Sequence, residues 1–560
     1  MPVRISVVAH TLRHLSGDAG GMELHGANLA IKSYLKAFLS DERTEALEVF
    51  LEPVDYMDKA ALAEAAQAAL PEWRRGQGAL RFYPSHHLPD VFADGTERIM
   101  WCIDPAYMAR ERAVRDRFAT APTPLVVDTH GLGHHSLWRE LAPLARAEPV
   151  PFDTLLCLSQ AIKTGFEAAF DGFLGGSRPC GIDVVPRAVD TKVFAPASPE
   201  WKAKARQLLK VPASVDNIVL YLGRLTPNHK ADLVPLLSAF TSAAGPKDFL
   251  LVVGPENAPG YRDSLVKEAE RLGLSGRAMF RSELDPDFRS IAYAASDIFV
   301  FPGDTVQEAL GNTVCEAMAA GLPVLCSDWD GFKDLVVDGE TGYLVPTYWI
   351  PGTRRSEEVS PLSELVSHYL MLAQSVWIDT EAMTARLHDL LASPGLRQRL
   401  GANGRARAER MLAPEVVMGQ KFDLFEDLIE AARAESPEAK ARRAGNSGLG
   451  MICPRSVFAS YATGDLATVA AQVRISQKGK EVLQGKAGVA LYDEVLAVTH
   501  PALYDAVLHG LAEADRPQMA QTLVEECSRK LGVDTDDIWF HLGVLAKRGY
   551  VNLKPMKHSR

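Results

Sequence analysis

The chain has no uninterrupted apolar run long enough to span a bilayer, so the sequence predicts no transmembrane helix. Its seven cysteines are scattered and form no Cys-x-x-Cys pair, which excludes a disulfide framework or zinc site and indicates a reducing compartment. Positive charge is also scarce: the net charge is -11 and the pI is near 5.8. This disfavours nonspecific nucleic-acid binding and a broad attraction to anionic lipid, although a local basic patch could still support either. We therefore expect a cytoplasmic protein whose membrane contact is at most peripheral.

At 560 residues the chain is too long for one hydrophobic core, so several domains are expected. Short β-branched runs alternate with helical patterns over the first two thirds, as in "PLVVDTHG", "NIVLYLGR" and "DIFVFPG". This alternation predicts α/β structure with parallel sheets and crossover helices. The polar stretch "SPEWKAKARQLLKVPASVDN" divides the pattern into two halves. The sequence thus predicts two Rossmann-like, doubly wound domains, 1–205 and 206–435, which face each other across a ligand-binding cleft.

The most informative segment is "FPGDTVQEALGNTVCEAMAAGLPVLCSDWDGFKDLVVDGETGYLVP". Seven residues separate Glu308 from Glu316, and a loop-to-helix junction lies between them. A helix that begins near Asn312 would direct the free N–H groups around Gly311, Asn312 and Thr313 toward a diphosphate. Glu316 would then lie one turn inside the helix, where it could accept hydrogen bonds from ribose hydroxyls. Glu308, on the loop, could hold a second sugar, so the segment predicts a nucleotide-sugar site.

This segment resembles the retaining glycosyltransferases of family 4. The matching residues are Glu308, Glu316, Ala317–Val324, Asp338, Gly339, Thr341 and Gly342. Ala309 and Leu310 depart from the family's Gly-Phe. The resemblance implies the GT-B fold, in which two Rossmann-like domains face each other. It also implies a late helix that returns from the second domain to the first, and "GRARAERMLAPEVVMGQKFDLFEDLIEAARA" suits that part.

A second motif, "VLYLGRLTPNHKADLVPLLSAF", supplies cations for the donor. Arg224 follows a predicted strand and Lys230 comes soon after, so both could converge on the leaving diphosphate and stabilise its developing charge. Gly223, Arg224 and Lys230 match the family's Gly-Arg-Leu and Lys-Gly elements. The spacing is one residue longer than usual and Ala231 replaces a glycine. The alternative is that Lys230 only begins a solvated helix.

The first half is expected to provide the acceptor side. Gly20 and Gly21 precede a helix, so backbone N–H groups there could approach a phosphate or sugar. They resemble the family's Gly-Gly-x-Glu element, with Glu23 as the glutamate. His130 ends a predicted strand, where family members carry a histidine that orients the transferred sugar.

Two neighbouring residues, His134 and His135, compete with His130 for that role. Further along, "VVPRAVDTKVFAP" resembles the family's Asn-Gly-Val-Asp-Thr motif, but Arg187 and Ala188 replace Asn-Gly. Arg187 could be a further anion contact.

A metal-dependent alternative depends on Asp328 and Asp330, which have the Asp-x-Asp spacing that single-Rossmann transferases use to hold a divalent cation. This pair follows the helix exit of the glutamate motif, where the family has an ordinary turn. We therefore expect no metal and no cofactor besides the nucleoside-diphosphate sugar itself. The implied mechanism is front-face displacement with retention of anomeric configuration.

After residue 435 a charged, small-residue-rich stretch predicts a linker, 436–455, followed by an accessory domain, 456–560. Its helix, turn, helix and extended segment resemble a winged helix. DNA recognition would require a basic second helix. This helix instead begins with Asp536 and Asp537 and carries Trp539 and Phe540. The pattern favours a protein contact, either for homo-oligomer formation or for docking a macromolecular acceptor.

Three functions remain open from the sequence. The leading one is a glycosyltransferase that moves a hexose from a nucleotide sugar to a glycan, lipid-linked glycan or peptide, as in polysaccharide biosynthesis. It places Glu308 on the sugar, Glu316 on the ribose, Arg224 and Lys230 on the diphosphate, and His130 at the reacting centre. The alternatives are a nucleotide-sugar epimerase or hydrolase on the same fold, and a sugar-sensing DNA-binding regulator. The sequence leaves the donor's base, its sugar and the acceptor open.

Overall fold

A computed structural model provides the coordinates. It describes residues 2–9, 26–52, 55–56, 60, 62–63, 79–132, 136–172, 174–282, 286–351, 358, 365–445, 460, 466, 469–492, 495–496, 498–514 and 516–556.

The first domain is built on a seven-stranded sheet with the strand order β3-β2-β1-β4-β5-β6-β7 among the described residues. All neighbouring strands run parallel. Its strands are β1 (Val3–Ala9), β2 (Thr44–Leu51), β3 (Ala79–Pro84), β4 (Ile99–Cys102), β5 (Leu125–Asp128), β6 (Thr154–Cys157) and β7 (Gly181–Val184). Its helices are α1 (Gly26–Ser40), α2 (Leu88–Phe92), α3 (Met108–Phe118), α4 (Ser136–Leu141) and α5 (Gln160–Gly172). The strand order reverses between β1 and β4, which is where ligands of doubly wound sheets bind.

The second domain repeats this plan with a six-stranded parallel sheet, ordered β10-β9-β8-β11-β12-β13. Its strands are β8 (Asn217–Leu222), β9 (Asp248–Val253), β10 (Ala278–Arg281), β11 (Ile298–Phe301), β12 (Val324–Ser327) and β13 (Gly342–Val345). Its helices are α6 (Pro199–Leu208), α7 (Val234–Ala243), α8 (Tyr261–Arg271), α9 (Pro286–Ala295), α10 (Asn312–Ala319) and α11 (Phe332–Leu335). Strands such as "IFVF" of β11 are buried on both faces, as helix-covered parallel sheets require. The predicted fold class, two doubly wound domains, is confirmed.

Helix α6 belongs with the second sheet. Lys202 and Arg206 both bond the carboxylate of Asp297, at 2.7 and 2.6 Å, just before β11. The predicted boundary at 205/206 stays a prediction.

A small two-stranded antiparallel sheet with an intervening helix follows the second sheet. It consists of β14 (Thr347–Trp349), α12 (Leu365–Ala373) and β15 (Val376–Ile378), with the two strands antiparallel. The chain then forms α13 (Thr380–Ala392), α14 (Pro394–Leu412), α15 (Pro414–Arg433) and α16 (Pro437–Gly445).

Helix α15 returns to the first domain and packs on α1. Phe422 and Phe425 lie 6.3 and 6.0 Å from the ring of Phe38. Directly before Phe422, Lys421 donates to Asp128 at the end of β5, at 3.0 Å, and both side chains are 1% exposed. A buried ion pair of this kind fixes one packing arrangement, because either charge would be costly alone.

Helix α16 lies within the stretch 436–455 that the sequence predicts as a linker. It docks on the first domain, where Arg443 donates to Asp116 of α3 at 2.5 Å. Arg443 also donates to Glu435, just before α16, at 2.8 Å. Residues 446–455 lie outside the described part of the chain.

The C-terminal region forms a separate core. Its three-stranded antiparallel sheet has the order β17-β16-β18. Its elements are β16 (Ala471–Ile475), α17 (Gln477–Leu483), α18 (Pro501–Glu513), β17 (Gln518–Met519), α19 (Ala520–Leu531), α20 (Thr535–Lys547) and β18 (Val551–Pro555). The winged-helix designation stays a prediction. Among the described residues, every helix is too short or too polar to cross a bilayer.

The Lys421–Asp128 pair generates a stability prediction. Lys421→Met leaves Asp128 charged and unpaired in the interior, so we expect a loss of about 3–5 kcal/mol in unfolding free energy. Adding Asp128→Asn should recover much of it. Differential scanning calorimetry measures the effect. The matched control is Arg433→Gln, which breaks the half-exposed Arg433–Glu97 pair of the same helix and should change the transition much less. Equal losses in the two variants would contradict the prediction.

Candidate functional site

The predicted donor residues lie at the carboxyl ends of the central strands of the second sheet. Gly223 and Arg224 directly follow β8, and the chain there runs close to Gly254 at the end of β9. A Cβ at Gly254 would collide with the carbonyl of Gly223, and its φ is +156°, so only glycine suits the position. This approach fixes the backbone that carries Arg224. The Arg224 side chain has no ion pair among the described residues.

Helix α10 begins at Asn312, as predicted, with Gly311 at its N-cap. Gly311 has φ +91° and contacts Phe332 so closely that a Cβ would collide with that ring. Glycine has no side chain to cap the helix, and Asn312 is exposed. The first N–H groups of α10 and its positive dipole end therefore remain available to an anion.

Lys230 and Glu308 form an ion pair, with Nζ 2.9 Å from Oε2. Lys230 is 23% exposed and Glu308 is 8% exposed, so the pair is partly screened from water. The loop after β8 and the loop before α10 thus meet at these two predicted site residues. The ammonium stays accessible enough to contact a ligand as well.

Glu316 is more tightly held than the sequence predicts. Arg289 of α9 donates to its Oε1, and the Tyr293 hydroxyl donates to its Oε2 at 2.9 Å. Burial raises the pKa of Glu316, and the neighbouring Arg289 opposes that rise. Neither Arg289 nor Tyr293 was identified from the sequence, because nothing in α9 marks them as partners of a residue 23 to 27 positions later.

His130 follows β5 and joins the two domains through Arg187. Its Nε2 lies 2.8 Å from the carbonyl of Ile103, and its Nδ1 lies 3.3 Å from Nη2 of Arg187. Nη1 of Arg187 donates to Asn312 Oδ1 at the start of α10, at 3.2 Å. Burial, and then the charge of Arg187, lower the pKa of His130, so the ring is neutral near pH 7. The Ile103 carbonyl and the Arg187 guanidinium thus each contact one of the two ring nitrogens of His130.

Two further carboxyl groups lie close to Glu308. Burial, and then the charge of Asp232, raise the pKa of Asp304 well above its usual value. Burial, and then Glu308, raise the pKa of Asp330 to about 8. Ser159, at the start of α5, donates to Asp330 across the domain boundary at 3.4 Å. Asp330 thus contacts the other domain. Separately, the described residues hold no group of three or more potential metal ligands.

A cavity of about 420 Å³ opens beside His130. Nine of its ten lining residues come from the first domain, and only Gln307 comes from the second. The lining residues are Asp104, Pro105, Ala106, Tyr107, Arg110, His130, Gly131, Leu137, Glu140 and Gln307. Sequence reasoning missed Asp104, Tyr107 and Arg110. Their position just after β4, at the switch point of the first sheet, was the available signal.

The structure brings most of the predicted site together. Contacts join His130 to Asn312 through Arg187, and Lys230 to Glu308. Gly223, Arg224, Gly311 and Thr313 flank these contacts on the same strand ends and helix start. Gly20, Gly21, Glu23, His134 and His135 lie outside the described residues. The assigned role of each residue stays a prediction.

Comparison with known proteins identifies the second domain. Residues 208–351 match the family described as "Glycosyl transferases group 1". This region of the chain is similar to the group 1 glycosyltransferases. This range contains Gly223, Arg224, Lys230, Glu308 and Glu316, so the predicted donor motifs lie within the matched region.

Two named relatives extend the comparison. The glycosyltransferase is 25% identical over 401 residues to "GDP-mannose-dependent monoacylated alpha-(1-6)-phosphatidylinositol monomannoside mannosyltransferase" of Corynebacterium glutamicum, covering 70% of this chain and 92% of the relative. It is 32% identical over 196 residues to "D-inositol 3-phosphate glycosyltransferase" of Rhodococcus jostii, covering 34% and 41%. These relatives support the conclusion that the chain is an enzyme, a glycosyltransferase.

Solved structures show the same fold. Sucrose-phosphate synthase from Thermosynechococcus elongatus superposes with a TM-score of 0.52 at 19% identity, covering 77% of this chain and 100% of that one. The Anabaena protein Alr3699/HepE, solved with UDP and glucose, also gives 0.52 at 19% identity, covering 76% and 100%. The glycosyltransferase therefore has the GT-B fold.

The contact between Arg187 and His130 predicts a pH effect. Arg187→Gln removes a positive charge beside the ring, so the pKa of His130 should rise toward its ordinary value. Protonation would then begin at higher pH, and the acid limb of the activity profile should move to higher pH. Measuring kcat/KM against pH tests this. Arg187→Lys keeps the charge and should leave the limb in place, whereas an unmoved limb in Arg187→Gln would contradict the prediction.

Glu316 should be needed for stability as well as for any contact with a ligand. Glu316→Ala leaves the largely buried guanidinium of Arg289 without its carboxylate partner, so we expect a loss of about 3–5 kcal/mol. The Tyr293 hydroxyl can still donate to the carbonyl of Thr313, at 3.1 Å. Glu316→Gln keeps an acceptor for one of them and should lose clearly less. Thermal unfolding without ligand measures both. If the two variants unfold at the wild-type temperature, the buried cluster does not stabilise the fold.

Proposed function

We propose that this enzyme is a retaining glycosyltransferase that uses a nucleoside-diphosphate sugar and requires no metal. The observation that carries the proposal is the convergence of positive charge in the cleft. Lys230, Arg187 and the uncapped start of α10 are linked through short contacts to Glu308 and His130. Arg224 lies on the adjoining loop.

This arrangement suits the leaving group. Breaking a glycosyl-phosphate bond places negative charge on the departing diphosphate, and fixed cations stabilise that charge more in the transition state than in the ground state. The dipole of α10 adds to the same field. Because the neighbouring carboxyls of Asp304 and Asp330 have raised pKa values, they oppose this field less than ionised carboxylates would.

In the proposed step, the bond between the sugar C1 and the phosphate oxygen breaks while the acceptor oxygen bonds C1 from the same face. The acceptor's proton passes to the departing phosphate oxygen, and anomeric configuration is kept. Arg224 and Lys230 hold the diphosphate. Glu308 accepts hydrogen bonds from hydroxyls of the transferred sugar.

Arg187 and His130 are proposed to act in sequence. When the diphosphate binds at the start of α10, Arg187 can turn from His130 to the phosphate, because Asn312 already holds it at that helix end. Nδ1 of the neutral His130 is then free to accept a hydrogen bond from a sugar hydroxyl.

Glu316 is proposed to hold the ribose. Each carboxylate oxygen has two lone pairs. Arg289 and Tyr293 each use one acceptor site, so further sites remain for ribose hydroxyls. In this proposal, Arg289 and Tyr293 orient the Glu316 carboxylate toward the ribose as well as stabilising it.

The proposed acceptor carries a phosphoinositol group on a lipid. Two relatives are named for acceptors that contain inositol and phosphate. The cavity beside His130 supports this choice, because Asp104 and Glu140 can accept hydrogen bonds from polyol hydroxyls and the exposed Arg110 can meet a phosphate.

The remaining proposals concern location and the C-terminal region. The six described cysteines are all free and buried, which is compatible with a reducing cytoplasm. The C-terminal region is proposed to be a winged-helix-like protein-contact module, since its helix α20 begins with two acidic residues. Participation in polysaccharide biosynthesis stays a further proposal.

Thermal stabilisation by UDP-, GDP-, ADP- and TDP-sugars tests the donor site. A donor at 100 times its Kd should stabilise the protein by about 2.7 kcal/mol. Arg224→Gln and Lys230→Gln should each abolish the shift without unfolding the protein. Lys267→Gln, an exposed cation on α8, is the matched control and should keep it. Failure of every donor in the wild-type protein would overturn the proposal. Turnover of the donor without an acceptor would instead indicate an epimerase or hydrolase.

A further inference from the structure

A cavity in the C-terminal region is lined by cations and apolar side chains. Its volume is about 430 Å³, which is within the range of small-molecule sites. It lies where β16, α17 and the turn between α18 and β17 meet. We call it the basic cavity, and its lining residues are Arg474, Ile475, Lys480, Leu483, Gln484, Leu511, Ala512, Arg516 and Pro517.

The charge of this cavity is positive and uncompensated. Arg474, Lys480 and Arg516 are all exposed, and the described lining residues include no carboxylate. None of the three cations forms an ion pair or a side-chain hydrogen bond with a described residue. The chain as a whole carries a net charge of -11, so three free cations around one cavity are a local exception. Such a grouping favours an anionic ligand.

The ends of two helices account for only part of this charge. Lys480 lies in the last turn of α17, and Leu511 and Ala512 place the last turn of α18 at the same cavity. Cations are favoured at such ends, because each carries about half a negative charge. Two ends together contribute about one negative charge, so three cations leave an excess of about two positive charges. That excess is available to a ligand.

The floor of the basic cavity is apolar. Leu511 is 2% exposed and belongs to the core of the C-terminal region. Ile475 and Leu483 pack against the same core while they line the cavity. At its edge, the amide of Gln484 can both donate and accept hydrogen bonds. These groups suit a ligand that joins an anionic group to a flat ring with polar edges.

Backbone contacts hold the walls of the cavity in place. The N–H of Ser476 donates to the carbonyl of Tyr550 at 3.0 Å, and the Ser476 hydroxyl accepts from the N–H of Gly479 at 3.1 Å. A Cβ at Gly479 would collide with the Tyr550 carbonyl, so α17 lies directly against the chain before β18. On the other side, Gln518 donates to the carbonyl of Gly510 in α18, at 2.7 Å. The cavity is therefore formed before a ligand binds, which lowers the cost of binding.

We propose that the basic cavity binds a nucleoside di- or triphosphate, at a site separate from the donor cleft. The phosphates contact Arg474, Lys480 and Arg516, and an arginine can hold two phosphate oxygens at once. The base lies on the apolar floor with its edge toward Gln484. This site lies outside residues 208–351, which match the glycosyltransferase family, so it goes beyond the proposed function.

Other small anions use less of the cavity. A sugar phosphate presents hydroxyl groups around its ring, whereas the lining provides one amide and no hydroxyl side chain. A fatty acid carries a single charge and would leave most of the positive charge unmatched. Inorganic phosphate or pyrophosphate would leave the apolar floor uncovered. A nucleotide meets both the cations and the floor.

Equilibrium dialysis of the full chain with radiolabelled ATP tests the proposal. The variant Arg224→Gln/Lys230→Gln serves as the background, so that the proposed donor cleft does not contribute. This background should bind one ATP per chain. Adding Arg474→Gln/Arg516→Gln should weaken binding by roughly tenfold or more, because charge-assisted hydrogen bonds to the phosphates are lost.

The matched control is Arg529→Gln/Lys530→Gln in the same background. It also removes two exposed cations from the C-terminal region, but from the last turn of α19, outside the cavity lining. It should bind ATP as the background does. Unlabelled pyrophosphate should compete roughly tenfold less well than unlabelled ATP, because it cannot cover the apolar floor. In the wild-type protein, ATP should slow hydrogen exchange in α17 and at the end of α18.

Four results would overturn the proposal. The first is the absence of ATP binding in the background variant, and the second is equal binding with and without the cavity substitutions. The third is pyrophosphate that competes as well as ATP, which would indicate a site for inorganic anions. The fourth is a single-stranded oligonucleotide that binds through the same cations at least tenfold more tightly than ATP, which would indicate a nucleic-acid contact.

Donor-induced thermal stabilisation keeps this test separate from the proposed function. Arg474→Gln/Arg516→Gln in the otherwise wild-type chain should be stabilised by the sugar nucleotide as the wild type is. A protein that binds ATP at the basic cavity but is stabilised by no sugar nucleotide would retain this inference and lose the transferase proposal.

Discussion

The buried ion pair between Lys421 and Asp128 is the interaction on which the rest of the arrangement depends. It joins the helix that leaves the second domain to the strand that ends at Asp128, two residues before His130. Because neither charge is tolerated alone in the interior, the return helix has one favourable packing position on the first sheet. With the return helix in that position, the carboxyl ends of the two sheets face each other, so Arg187 can contact both His130 and Asn312.

Charge in the cleft differs from the charge of the whole chain. The protein has a net charge of -11, yet cations and a helix N-terminus dominate the donor side. Burial raises the pKa of Glu316, Asp304 and Asp330, and Arg289 compensates the first of these. These shifts reduce the negative charge on the donor side, as the proposed diphosphate donor requires, even though acidic residues outnumber basic ones overall.

Much of the fold followed from local patterns. Buried β-branched runs separated by helical stretches are sufficient to indicate parallel sheets, because both faces of such strands are covered. The start of α10 was also predictable, since glycine before Asn312 followed by helix-forming residues marks a helix start. The Arg289–Tyr293–Glu316 cluster was not predictable, because Glu316 lies on a different helix from the other two and each alone is an ordinary polar residue. Asp104 and Arg110 were missed although their position after β4, at the switch point of the first sheet, was a usable signal.

By itself the sequence determined the fold class, the positions of Arg224, Lys230, Glu308 and Glu316 on loops and helix starts, and their family resemblance. These depend on residue type and near neighbours along the chain. Only the tertiary structure decided that Arg187 links His130 to α10 and that Glu316 is held by Arg289. Such relations depend on which elements pack together and on how much water they exclude, and those quantities are not local to any segment.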